Sequence, residues 1–189
     1  MEADAVSIPL HSPNWREMFF FFCSGLIIGV PLTLFMDQLA NNLLIGVTGG
    51  FSVLISGVIF APPIEEFSKI FPLFYRHGET ERSIFKLASL TGLGFGVFEF
   101  LTYVFALGAP VIGRLPALFF HPASTSISAY GIAKNKISQF FTIAVVLHFA
   151  SNLLALSSPI ISPFSIVAVG VTVALSFFLR SKTREIIIS

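Results

Sequence analysis

Four long stretches of this chain carry no Asp, Glu, Lys or Arg: residues 18–36, 38–64, 115–133 and 137–179. Runs of that length read as membrane-spanning helices, because about 20 apolar residues cross a bilayer. The last run is broken at Ser157-Ser158-Pro159 and again at Pro163, so it divides into two helices joined by a tight turn. A further span, near 83–107, holds one carboxylate, Glu99. The span before it, near 43–75, is expected to break or kink at Ala61-Pro62-Pro63. The pattern predicts an all-α, polytopic membrane bundle of about six helices. They fall near 18–36, 43–75, 83–107, 115–133, 138–157 and 163–180, in a single domain over residues 1–189.

The basic residues test that count. Six spans place Arg16, Arg76, Arg82, Lys86, Lys134, Lys136, Arg180, Lys182 and Arg184 on one side, with only Arg114 on the other and Lys69 inside a span. One span more or fewer would scatter the same residues over both faces. The asymmetry predicts that both termini are cytoplasmic. The leader holds Glu2, Asp4 and Glu17 against Arg16, and no small-x-small site follows the first apolar stretch, so that span is expected to be retained rather than cleaved. Gly25/Gly29, Gly46/Gly50 and Gly92/Gly96 are spaced for close helix packing.

Composition agrees with the pattern. The 189 residues are 54% hydrophobic and only 11% charged, with a mean hydropathy of +0.87. Soluble domains carry about 25% charged residues, so the chain is expected to be an integral, multi-pass membrane protein with the lipid bilayer as its surroundings. A net charge of +1 and 23 Phe exclude a disordered chain and a nucleic-acid footprint. The single Cys23 lies in an apolar run and is read as inert filler.

Candidate chemistry sits in six ionisable residues inside apolar helices: Glu65, Glu66, Lys69, Glu99, His121 and His148. A charge at the centre of a span costs roughly 2.5–3.5 kcal/mol on insertion scales, so these groups must be paired, neutralised or wetted. Helical rise from the cytoplasmic end of each helix places them in one layer: Glu65 lies about 16 Å from Arg76, Glu99 about 20 Å from Lys86, His121 about 20 Å from Lys134 and His148 about 18 Å from Lys136. Lys69 is three residues after Glu66 and four after Glu65, so it can approach either carboxylate and leave the other without that partner. Small residues at Gly92 and Gly96 turn the Glu99 face toward another helix. His121 leads a stripe of Ser124, Thr125 and Ser128, and His148 a stripe of Ser151 and Asn152. Each member alone has a blander reading. The Glu65/Glu66/Lys69 cluster could be an ion-pair knot, either histidine a packing residue, Asn152 and Thr125 helix-to-helix glue, and Tyr103 ordinary core.

Taken in order, the motifs are EExxK at Glu65-Glu66-Phe67-Ser68-Lys69, FxxxE at 95–99, HxxxT at 121–125 and HxxxN at 148–152. On successive helices they resemble the PrsW family of membrane-embedded proteases, within the superfamily that includes the CAAX-processing and bacteriocin-processing enzymes. The resemblance covers about residues 43–157. Lys69 and Glu99 depart from the CAAX-processing pattern (EExxxR and FxxxH) and favour the PrsW branch. The resemblance implies a hydrolase that cuts membrane-anchored proteins in or near the bilayer, with a single-span anti-sigma factor as the type of substrate.

On this reading an activated water hydrolyses the peptide without a covalent intermediate. Glu65 or Glu66 is the expected general base, with the other carboxylate paired to Lys69. His121 and His148 would hold the water directly or through a metal, and Asn152 could donate to the developing oxyanion. His121, His148 and Glu99 would make a three-ligand zinc site with an open position, though no HExxH motif is present. Two other classes share these features. A proton- or ion-coupled transporter also uses midplane carboxylates and broken helices, but neither an inverted repeat nor room for alternating access is apparent. A non-catalytic scaffold of the Aph-1 type would keep the fold and tolerate loss of Glu65 or Glu66.

Overall fold

In the computed structural model the described residues are 11–43, 51, 54–76, 79–156 and 162–188. The first helix, α1 (Trp15–Ser24), opens on a capping box. The Asn14 side chain accepts from the backbone of Arg16 and Glu17, and Glu17 accepts from the backbone N–H of Asn14. A π-helical turn (Gly25–Gly29) joins it to α2 (Val30–Leu43). A second π-helical turn (Ile55–Phe60) leads into α3 (Ala61–Ile70) and a 3-10 turn (Phe71–Tyr75). Then come α4 (Glu81–Leu101) with a π-helical turn (Thr102–Ala106), α5 (Val111–Ala133), α6 (Ile137–Ala155) and α7 (Pro163–Ser181). Among the described residues there is no strand, only an isolated bridge between Thr80 and Ile187. The protein is an all-α membrane bundle.

Among the described residues, four segments are long and apolar enough to cross a membrane: Trp15–Met36, Glu81–Ala106, Ile137–Ala155 and Pro163–Ser181. With 23 residues and a single charge, Arg114, α5 lacks neither length nor neutrality. Its His, Ser and Thr positions lower its hydropathy, and they are buried inside the bundle. The expected 43–75 span falls partly on residues outside the described set, as do the Gly46/Gly50 pair and the Ser157-Ser158-Pro159 turn.

Two boundaries differ from expectation. At Ala61-Pro62-Pro63 the helix runs on without a break. The prolines occupy the first turn of α3, where a missing N–H costs little, and the π-helical turn before them absorbs the change of register, Ala61 donating back to the Ser56 carbonyl. Helix α5 begins at Val111 rather than 115 and passes through Pro116 and Pro122, which brings Arg114 into its first turn.

The centre of the bundle is the α4–α5 pair, with α1 on the α4 side and α6 and α7 against α5. Ile84, Leu87 and Ala88 of α4 meet Ala129 and Ala133 of α5, with Phe21, Ile70 and Leu73 closing the cluster. The approach is close because glycine permits it. A Cβ on Gly92 would lie 2.4 Å from the His121 carbonyl oxygen, and one on Gly25 would lie 1.9 Å from the Thr91 carbonyl oxygen. Large apolar side chains such as Phe35, Phe105, Val167 and Phe178 face outward, as a lipid-facing surface requires. The segment after α7 pairs with the start of α4: Glu81 N–H donates to the Ile186 carbonyl at 3.0 Å and Ile188 N–H to that of Glu79 at 2.8 Å.

Candidate active site

Glu66 and Lys69 of α3 are completely buried. Lys69 Nζ donates to Glu66 Oε1 at 2.6 Å, to His121 Nδ1 at 3.1 Å and to Ser124 Oγ at 3.3 Å. The three donors of the ammonium thus have three acceptors, on α3 and α5. Phe95 and Phe120 stand 5.3 and 5.9 Å from the charge. Of the two glutamates, the partner of Lys69 is Glu66.

His148 of α6 reaches the same carboxylate oxygen, with Nδ1 2.8 Å from Glu66 Oε1, while its Nε2 lies 3.6 Å from Glu65 Oε2. An ionised carboxylate only accepts, so Nδ1 carries a ring proton, and in the neutral ring Nε2 then presents its lone pair on the side of Glu65. His121 is set the other way. Lys69 can only donate, so Nδ1 accepts, and Nε2–H of the neutral ring donates to Glu99 Oε2 in a close hydrogen bond. Phe120 packs on both imidazoles, at ring separations of 5.6 and 4.8 Å.

A cavity of about 470 Å³ opens on this centre. Glu65, Glu99, His121 and His148 line it, whereas Glu66 and Lys69 lie behind its wall. Other parts of its wall come from Gly113, Ala155 and Ser165, near the start of α5, the end of α6 and the start of α7. The cavity therefore lies toward the end of the bundle opposite the basic cluster.

Asn152 and Ser151 line the cavity as well, and Asn152 Nδ2 donates to the Gly57 carbonyl at 2.9 Å, tying α6 to the turn before α3. Thr125 is elsewhere: its hydroxyl donates to the His121 carbonyl at 2.7 Å, on its own helix. Ser124 bonds the same carbonyl, so the oxygen beside Pro122 is well satisfied. Arg114, which spacing marked only as a lone cation on the far side, is part of the centre. Its guanidinium lies 3.7 Å from Glu99 Oε1 and 3.3 Å from the centre of the Tyr103 ring, and both residues line the cavity. Tyr103 is thus a support at the cavity edge rather than ordinary core. The available signal was the spacing of Glu99 and Tyr103, one turn apart, with a cation at the facing helix end.

Donor atoms of Glu65, Glu99 and His121 lie within 4.8 Å of one another. Two carboxylates and an imidazole suit a first-row divalent cation, and one coordination position is left for another ligand. His148 is outside that set of three, yet its tautomer suits a cation: metal-binding histidines usually donate their other N–H to a carboxylate, as Nδ1 does to Glu66. His121 needs one adjustment. To offer Nε2 as a lone pair it must carry its proton on Nδ1, and Lys69 then has to turn to Glu66 and Ser124. The residues fit a metal on that condition.

Carboxylates and imidazoles gathered around a cavity inside a membrane bundle are the kind of centre a membrane-embedded hydrolase requires. The family profile for PrsW family intramembrane metalloproteases matches residues 13–179, nearly the whole chain. The chain belongs to that family and is an integral membrane protease acting on membrane proteins. No curated protein and no solved structure matches it.

Proposed function

We propose that this protease cuts single-span membrane-anchored proteins, of the anti-sigma-factor type, by attack of a water for which Glu65 is the general base. The observation that carries this choice is the division between the two adjacent glutamates. Glu65 faces the cavity beside His148, whereas Glu66 is enclosed and already bonded to Lys69 and His148. A base has to reach the proton it removes, and Glu65 alone of the pair can meet a substrate. Glu66 acts as a positioning residue that sets the His148 tautomer and holds Lys69.

The scissile carbonyl sits in the cavity with its oxygen toward Asn152, whose amide can turn from Gly57 to donate as charge develops. Zinc is the proposed cofactor, which His121, His148 and Glu99 would hold. It would supply Lewis acidity at the scissile carbonyl. Arg114 keeps Glu99 oriented from the cavity side. The substrate helix enters from the end of the bundle where the cavity lies, opposite the basic cluster. Cleavage of a membrane-anchored reporter in proteoliposomes tests the reading. Glu65→Gln is expected to abolish cleavage with the helix content unchanged, and full activity in that variant overturns the assignment.

A further inference from the structure

A second pocket, rimmed by basic residues, lies at the opposite end of the molecule from the catalytic cavity. It has a volume of about 530 Å³, and Arg82 and Lys86 of α4 and Arg180 of α7 are among its lining residues, with Ser12 and Ser89 contributing hydroxyls. One acidic residue, Glu185, shares the wall and lies 3.6 Å from Arg82 Nε. Among the described residues, Lys86 and the Arg180 guanidinium have no ion-pair partner, and both are exposed. Three cations against one carboxylate leave the pocket positive.

An apolar groove of about 230 Å³ continues from it, sharing Phe85, Ser89 and Arg180. The groove runs between α4, α5 and α7 past Phe119, Pro122, Val173 and Phe177. From Arg180 to Val173 it follows α7 for seven residues, about 10 Å at helical rise. Ser126 and Ser176 bond across α5 and α7 at 2.7 Å, and Ser176 is also in the groove wall.

We propose that this pocket and groove bind one anionic phospholipid, its phosphate among Arg82, Lys86 and Arg180 and one acyl chain along the groove. Charge complementarity selects an anionic headgroup. The pocket also sits at the end of membrane-spanning helices, where basic residues meet headgroups, and its apolar extension points into the bilayer. A free phosphate would have no use for that extension. The acyl chain lies against Phe119 and Pro122, which flank Phe120 and His121 on α5. An occupied groove therefore braces the helix segment that carries a catalytic histidine. The site does not depend on the assignment of the base or the metal.

Native mass spectrometry of the full chain in mild detergent tests this, with dioleoyl phosphatidylglycerol or dioleoyl phosphatidylcholine titrated in. One phosphatidylglycerol is expected to bind at least about tenfold more tightly than phosphatidylcholine. Each cation near a charged lipid contributes about fivefold, so Lys86→Gln/Arg180→Gln should weaken binding about 30-fold and either single change about fivefold. Lys136→Gln, which removes a cation outside the pocket, should leave binding unchanged. Equal binding of the two lipids, or equal losses in Lys136→Gln and the double variant, overturns the site. Displacement of the lipid by glycerol 3-phosphate at equal concentration overturns the role of the groove.

Discussion

Two adjacent glutamates with the same chemistry should fail in different ways when each is replaced by glutamine. Glu66 is fully buried, 2.6 Å from a fully buried Lys69. Glu66→Gln keeps the shape and one neutral hydrogen bond but leaves the ammonium facing only the substituted amide, His121 and Ser124. Removing one partner of a buried ion pair costs about 3–5 kcal/mol, and the retained neutral acceptors place this change near the lower end, about 3 kcal/mol. For a chain of this size that corresponds to a fall in melting temperature of about 6–12 °C. Lys69→Met should cost at least as much, because it leaves the carboxylate without its cation. The pair Glu66→Gln/Lys69→Met should recover part of that loss, since no charge is then left unpaired. Glu65 differs: its side chain is 15% exposed and faces the cavity. Glu65→Gln should leave the melting temperature within about 2 °C of the parent while cleavage falls by about 10²–10⁴, the usual contribution of a general base. The assay pairs thermal unfolding in detergent with cleavage of a membrane-anchored reporter. Equal destabilisation in the two glutamine variants, or full cleavage by Glu65→Gln, would refute the division of roles.

Other consequences follow from the same geometry. Gly92→Ala places a methyl 2.4 Å from the His121 carbonyl, so both melting temperature and cleavage should fall, whereas Gly170→Ala, with nothing within 4 Å, should leave both unchanged. Arg114→Met removes a partly exposed ion pair and a ring stack and should lower cleavage about fivefold; Arg114→Lys should not restore it, because an ammonium cannot stack on Tyr103 as the planar guanidinium does. Protein purified without chelator should carry about one equivalent of zinc, reduced in His121→Ala and His148→Ala and unchanged in Asn152→Ala; the same metal content in both histidine variants as in the parent would remove the proposed ligand set.

Much of the architecture was readable along the chain because hydropathy is a local property. A segment inserts in the bilayer according to its own residues, so the last charge-free run, divided at its Ser-Ser-Pro break, marks helices α6 and α7 to within a few residues. The high cost of charge in lipid likewise drew Glu65, Glu66, Lys69, Glu99, His121 and His148 toward one layer, and the structure gathers all six. Spacing also foresaw the α4 glycines meeting a neighbouring helix.

What sequence spacing left open depends on how each helix is rotated and which neighbour it meets. Lys69 is within helical reach of both glutamates, and only the position of α5 and α6 around α3 commits it to Glu66 and turns Glu65 to the cavity. Thr125 stands one turn from His121 on the same stripe, yet its hydroxyl bonds back to a carbonyl of its own helix, and tertiary packing sets Gly92 of α4 close against it. Arg114 joins Glu99 only because α5 begins a turn earlier than its charge-free run and lays the guanidinium over Tyr103 of another helix. Residue types and hydropathy determined the helices and the polar layer. The packing of α3, α4, α5 and α6 decided which members of that layer touch one another and which face the cavity, because those relations join residues on different helices that no local period connects.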